Sequence, residues 1–138
     1  MWPRVDLLVC NPRFLAAEAR TADPEAGLRA LASSGPPRVA VTLAEKGALG
    51  LVDGRFVRAP GFSVSPVVDT NGAGDVFHGA CAVCELRGWP LDWTLTFANA
   101  VAAMKCRKLG GRAGIPTITE ARAFLAANGQ ETLAAALA

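Results

Sequence analysis

Apolar residues in RVDLLVC (4–10) run together without a helical period, between Pro3 and Asn11, and predict a buried strand. A helical pattern follows from Pro12 to about Arg20. In TADPEAGLRALASS, Asp23 is a good N-cap with Pro24 at the first helical position, so a second helix is predicted to about Ser33. Ser34-Gly35-Pro36-Pro37 stops it. RVAVTL (38–43) reads as a second buried strand. After the turn AEKG come two short extended runs, ALGLVD (48–53) and RFVRA (55–59), joined at Asp53-Gly54 as a hairpin. FSVSPVV (62–68) is a further extended run, and it leads into DTNGAGD (69–75). The remainder is helical: about 73–88, ended by Gly88 and Pro90, then about 91–109, ended by Gly110-Gly111, and one or two helices within 119–137.

Buried strands alternating with helices define an α/β fold, a sheet sandwiched by helices with an antiparallel hairpin inserted. At 138 residues and 51% hydrophobic content, without repeats or linkers, the chain reads as one domain. Only about five strands are available, yet the first ones have the continuous hydrophobicity of central strands, so the sheet looks incomplete.

Charge adds little. The formal net charge is +2 and the basic residues are scattered, which gives no stripe for nucleic acid. The opening MWPRVDLLVC is too short and too interrupted by Asp6 for a signal h-region, and no apolar run approaches a membrane span. A cytoplasmic location is expected. Cys10, Cys81, Cys84 and Cys106 could suggest redox or zinc chemistry through Cys81-x-x-Cys84, but that pair lies inside a helical run and no second pair completes a site. The expectation is four core thiols. His78, the sole histidine, either faces a ligand or is a packed or solvated helix residue.

The chemistry concentrates at DTNGAGD. Glycine lets backbone amides approach a ligand closely, and the start of a helix is the positive end of its dipole. The amides of Gly72, Ala73 and Gly74 should therefore hold an anion. Asp75, in the first turn, stays ionised there and can take a proton from a hydroxyl placed beside that anion. Together these are two parts of phosphoryl transfer to an alcohol. Asp75 as a plain helix cap is an equal reading of the motif alone.

DTNGAGDVFHGA resembles the C-terminal signature D-T-x-G-A-G-D of the PfkB, or ribokinase-like, family of carbohydrate kinases. RVAVTLAEKGALG (38–50) resembles that family's nucleotide-binding strand and turn T-L-G-x-x-G, with Ala44 in place of the first glycine. FANAVAAMKCRKLGGRAGIPT (97–117) resembles the helix and loop that flank adenine and close a monovalent-cation site. The resemblance extends to about residue 127 and corresponds to the C-terminal half of a family member. It implies a portion of a ribokinase-like three-layer α/β sandwich that transfers the γ-phosphoryl group of ATP to a sugar hydroxyl, with Mg²⁺ and K⁺ as cofactors. Asp75 would be the base and Gly72–Gly74 the anion hole. Asn11, Thr42, Leu43, Ala44, Glu45, Lys46, Gly47, Gly74 and Asn99 would line the ATP site. Asp69, Asn71, Lys105, Lys108, Gly110 and Gly114 would hold K⁺, most of them through backbone carbonyls, so that side-chain identity there hardly matters.

The family often carries N-x-x-E after the first strand, a glutamate that helps organise Mg²⁺. Here the third residue after Asn11 is Phe14, and Glu18 lies one helical turn further on the same face. A sugar and ATP are the implied partners, with a nucleoside kinase or a non-catalytic nucleotide-binding fragment as alternatives. Because the exposed sheet would be costly, the chain is expected to self-associate, to join a separate N-terminal half, or to be poorly stable, and to show no sugar kinase activity alone.

Overall fold

The structure, a computed structural model, describes residues 4–138. The chain separates into two compact units, one ending at Pro60 and the other running from Gly61 to Ala138. In chain order the first unit holds β1 (Leu7–Cys10), α1 (Pro12–Ala19), α2 (Pro24–Ala32), β2 (Arg38–Thr42), a 3₁₀ turn (Ala44–Lys46), β3 (Ala48–Val52) and β4 (Arg55–Ala59). These form a mixed sheet of order β1-β2-β3-β4, in which β1 and β2 are parallel and the other pairs antiparallel.

β1 is shorter than the apolar run suggested, because Leu7 pairs with Arg38, the first residue of β2, and Pro36-Pro37 upstream offer no amide to extend the ladder. The hairpin turns at Asp53 and Gly54 with φ of 49° and 74°, the two left-handed positions of a type I′ turn. On one face of the sheet Val39 opposes Leu51 and Val41 opposes Leu49, and these pack with Leu15 of α1 and Leu28 and Leu31 of α2 into a buried cluster. Asn11 caps α1 by accepting from the Phe14 amide at 2.8 Å, and Asp23 caps α2 by accepting from Ala26 at the same distance. The two helices approach closely at Gly27, where a Cβ would come 2.8 Å from Leu15 Cγ.

The second unit contains α3 (Ala73–Leu86), α4 (Leu91–Lys105), α5 (Ile118–Ala127) and α6 (Glu131–Ala135). Phe77, Cys81 and Cys84 of α3, Leu95 and Ala98 of α4, and Ala121 and Leu125 of α5 are buried. A capping box starts α5, with Thr117 and Glu120 exchanging bonds between side chain and backbone.

Two expectations are corrected. The run 62–68 joins no sheet, so the described residues hold four strands rather than about five. Pro66 lacks a donor, Val67 and Val68 stay exposed, and the Val68 and Asp69 amides donate instead to the Cys106 carbonyl at 2.8 and 3.1 Å. That same carbonyl capture, together with a bond from Gly110 to Asp69, ends α4 at Lys105 instead of near residue 109. Among the described residues no helix is long and apolar enough to cross a membrane.

Candidate functional site

The first unit brings its predicted nucleotide-binding residues to the carboxyl ends of the parallel pair β1 and β2. Asn11 directly follows β1, Thr42 ends β2, and the Thr42 hydroxyl donates to the Cys10 carbonyl at 3.4 Å. In open α/β sheets the carboxyl ends of parallel strands are where ligands gather. The segment Leu43–Gly47 closes on itself: the Leu43 amide donates to the Gly47 carbonyl at 2.7 Å, and the Gly47 amide to Ala44 at 3.0 Å. Ala44 takes the left-handed conformation at φ 53°, which glycine adopts without strain. Ala44, Glu45 and Lys46 are exposed.

The second unit carries the glycine turn. Gly72 sits at φ 79° as the N-cap of α3 and its carbonyl accepts the Val76 amide at 3.0 Å. A side chain at Gly72 would crowd Gly111, whose Cα lies 3.3 Å from an added Cβ. The Ala73 amide already donates to Thr70 at 3.1 Å. Gly74 and Asp75 follow in the first turn, where an amide has no carbonyl one turn earlier within its own helix. Gly74 is helical, and an added Cβ there would meet nothing within 4 Å. The fold gives no steric reason for glycine at that position. Asp75 is exposed on the same turn.

Asp69 anchors the turn from below. Its Oδ1 accepts the Asn71 amide at 2.9 Å and its Oδ2 the Gly110 amide at 2.8 Å. These two bonds, aided by the Lys105 charge, hold its carboxyl below the usual carboxylate range. Lys105 is wholly buried, and its Nζ donates to the Asp69 carbonyl at 2.9 Å while lying 3.9 Å from Oδ2. Gly114 packs so tightly against the Lys105 carbonyl that any Cβ would overlap it. Of the six residues assigned to a cation, five are therefore drawn into one network with each other: Asp69, Asn71, Lys105, Gly110 and Gly114. Lys108 is exposed and its amide reaches the Lys105 carbonyl at 3.3 Å. The Lys105 side chain, whose identity the sequence reading set aside, turns into the loop.

A cavity of about 580 Å³ opens beside the turn within this unit. Asn71, Gly72 and Asp75 stand at its polar end, and Val83, Phe97 and Ile118 are part of its apolar wall. Asp75, Gly79 and Val83 recur every four residues, so one face of α3 opens into the space. Arg112 and Thr117 also line it, although neither stood out in the sequence. Arg112 lies in an irregular loop, where no periodicity marks which way a side chain turns. Asn99 is buried in α4 and is not part of this lining.

Histidine and cysteines settle into structural roles. His78 Nδ1 lies 2.8 Å from the Gly74 carbonyl and donates to it, one turn back on an exposed helix face. All four cysteines are buried free thiols; burial pushes Cys10 up to about 11 and Cys81 and Cys84 up to about 12, so they stay protonated near neutral pH. Glu18 is exposed, and the described residues contain no group of three or more His, Cys, Asp or Glu fit to hold a metal.

Strand-to-turn residues at a sheet's carboxyl edge and a glycine-opened helix with an adjacent carboxylate are the parts the PfkB signature implies. The model of the pfkB family carbohydrate kinases matches residues 1–118, and the chain belongs to that family. A ribokinase from Bacillus subtilis is 32% identical over 108 residues, covering 78% of this chain and 36% of the relative. The crystal structure of ribokinase from Thermotoga maritima superposes with a TM-score of 0.78 at 32% identity, over 88% of this chain and 42% of that one. The structure of Arabidopsis thaliana ribokinase complexed with ribose and ATP gives a TM-score of 0.80 at 28% identity, over 89% and 41%. The chain thus spans about two fifths of the length of these relatives.

Proposed function

We propose that this chain supplies the phosphoryl-transfer end of an ATP-dependent sugar kinase working in the cytoplasm. The observation that carries the reading is Gly74: a helical glycine with open space around it, next to an exposed carboxylate at the mouth of a cavity. Glycine costs a helix stability relative to alanine, so its presence where nothing crowds it points to a ligand that comes close to the backbone.

In this reading the turn Gly72–Gly74 cradles the transferring phosphoryl group, with the amides of the first turn and the helix dipole facing its charge. Asp75 holds the acceptor hydroxyl and takes its proton as the sugar oxygen forms its bond to the γ-phosphorus. The bond from that phosphorus to the bridging oxygen breaks, and ADP leaves. Asn11, Thr42 through Gly47, Gly74 and Asn99 remain the proposed nucleotide contacts. Mg²⁺ would enter with the nucleotide, because it is commonly held by substrate phosphates and water plus one or two carboxylates and neutralises phosphate charge. Glu18, on a solvated face, is not assigned to it.

The experiment is in two steps. Calorimetric titration of the chain with MgATP should show binding that Gly74→Ala weakens by about tenfold or more, the loss expected when a methyl displaces one phosphate contact. ADP release with a panel of sugars and nucleosides then identifies the acceptor. In a preparation that turns over, Asp75→Asn should retain ATP affinity and lower kcat by roughly 10²–10⁴. A rate within about threefold of wild type would return Asp75 to helix capping.

A further inference from the structure

The turn that bears Asp75 is held from beneath by a charge belonging to the chain itself. Each oxygen of Asp69 has a donor from this polypeptide: Lys105 Nζ on the carbonyl, the Asn71 amide on Oδ1, and the Gly110 amide on Oδ2. Asp69 opens the same loop that Gly72 closes, so fixing its three oxygens fixes the approach to α3.

Lys105 is the least expected member. It is fully buried, a rare state for lysine unless its charge is matched, and the match here is the Asp69 carboxylate and carbonyl. It is also the last residue of α4, where a cation is favoured by the helix dipole. Its own carbonyl, which the resemblance offers to K⁺, is instead walled off by the backbone of Gly114 and bonded by the Lys108 amide. A K⁺ placed on the Asp69 carbonyl would sit beside an ammonium in a water-poor site, where like charges repel strongly.

We propose that the Lys105 ammonium takes the place of the monovalent cation and acts as a positioning residue for the Gly72–Asp75 turn. The turn is then built without K⁺. This deepens the proposed site and rests on it for the role of the turn, but the test reads folding and ion dependence, which stand or fall apart from ATP binding.

Thermal unfolding of the full chain is followed by circular dichroism in KCl, NaCl and tetramethylammonium chloride at equal ionic strength. The expected result is one midpoint in all three salts. A rise specific to K⁺ of more than about 3 °C, well outside the precision of a midpoint, would show an ion bound despite Lys105 and overturn the proposal. Lys105→Met keeps most of the buried stem and removes the charge. It should lower the midpoint and make it K⁺-sensitive, as the ion fills the space left between Asp69 and Gly110. A methionine variant that is as stable as wild type, or that is destabilised equally in every salt, overturns the exchange of ammonium for ion. If that variant does not fold, Lys105→Arg, which keeps the charge, decides together with the wild-type series: salt-independent midpoints for both support the proposal, and a K⁺-specific rise in either overturns it.

Discussion

Two helical glycines, one in each unit, look alike in the sequence and differ in their reasons. Gly27 in α2 faces Leu15 of α1, and a Cβ there would lie within 2.8–3.0 Å of three leucine side-chain carbons. Gly74 in α3 faces open space. The first glycine is explained inside its unit, since two helices could not approach so closely over a larger residue. The second has no explanation inside its unit. A helix that gives up stability without any packing in return points outward, to a bound molecule.

Breaking that contrast is simplest at Gly27. Gly27→Ala should destabilise the chain by about 1–3 kcal/mol, the usual cost of overpacking, read as a lower urea midpoint with an unchanged slope. The mirror experiment has the opposite sign. Gly74→Ala should stabilise the free chain by about 0.5 kcal/mol, because alanine loses less backbone freedom, while weakening nucleotide binding as described above. A destabilised Gly74→Ala chain would mean that packing does require this glycine. The smallest effect is expected where the backbone adopts a glycine conformation without having one. Ala44 stands at φ 53° in the tight turn after β2. Relief of left-handed strain should slightly outweigh the extra freedom of the unfolded chain, so Ala44→Gly should raise stability by a few tenths of a kcal/mol.

Most of the first unit was legible because its signals are local. Asp23 with Pro24, and Asp53 with Gly54, each state their backbone geometry within a few residues, and both were realised as a capped helix and a type I′ turn. DTNGAGD was legible for the same reason. What failed were segments whose fate depends on distant partners. FSVSPVV has the composition of a strand, yet Val68 and Asp69 donate to Cys106, nearly forty positions away in the chain, and a ladder never forms. The end of α4 was misplaced by the same tertiary bonds. Lys105 was read as a backbone position with an indifferent side chain, and burial beside Asp69 gives that side chain its task. The contribution of Arg112 to the cavity is likewise a matter of loop path rather than pattern.

The contact between Gly72 and Gly111 is lopsided, and the asymmetry bears on how such a protein can change over generations. A methyl group on Gly72 would run into Gly111 and would also strain a left-handed backbone. One on Gly111 would meet nothing within 4 Å. Gly111 is therefore free to drift to alanine or serine, while Gly72 is pinned twice, by its own torsion and by its neighbour. A lineage could explore the loop after α4 widely without disturbing the turn, provided the backbone of that loop keeps its path. Variation around this site should therefore accumulate on one side of a touching pair, and a collection of functional variants selected from random mutagenesis would show many residues at position 111 and glycine alone at 72.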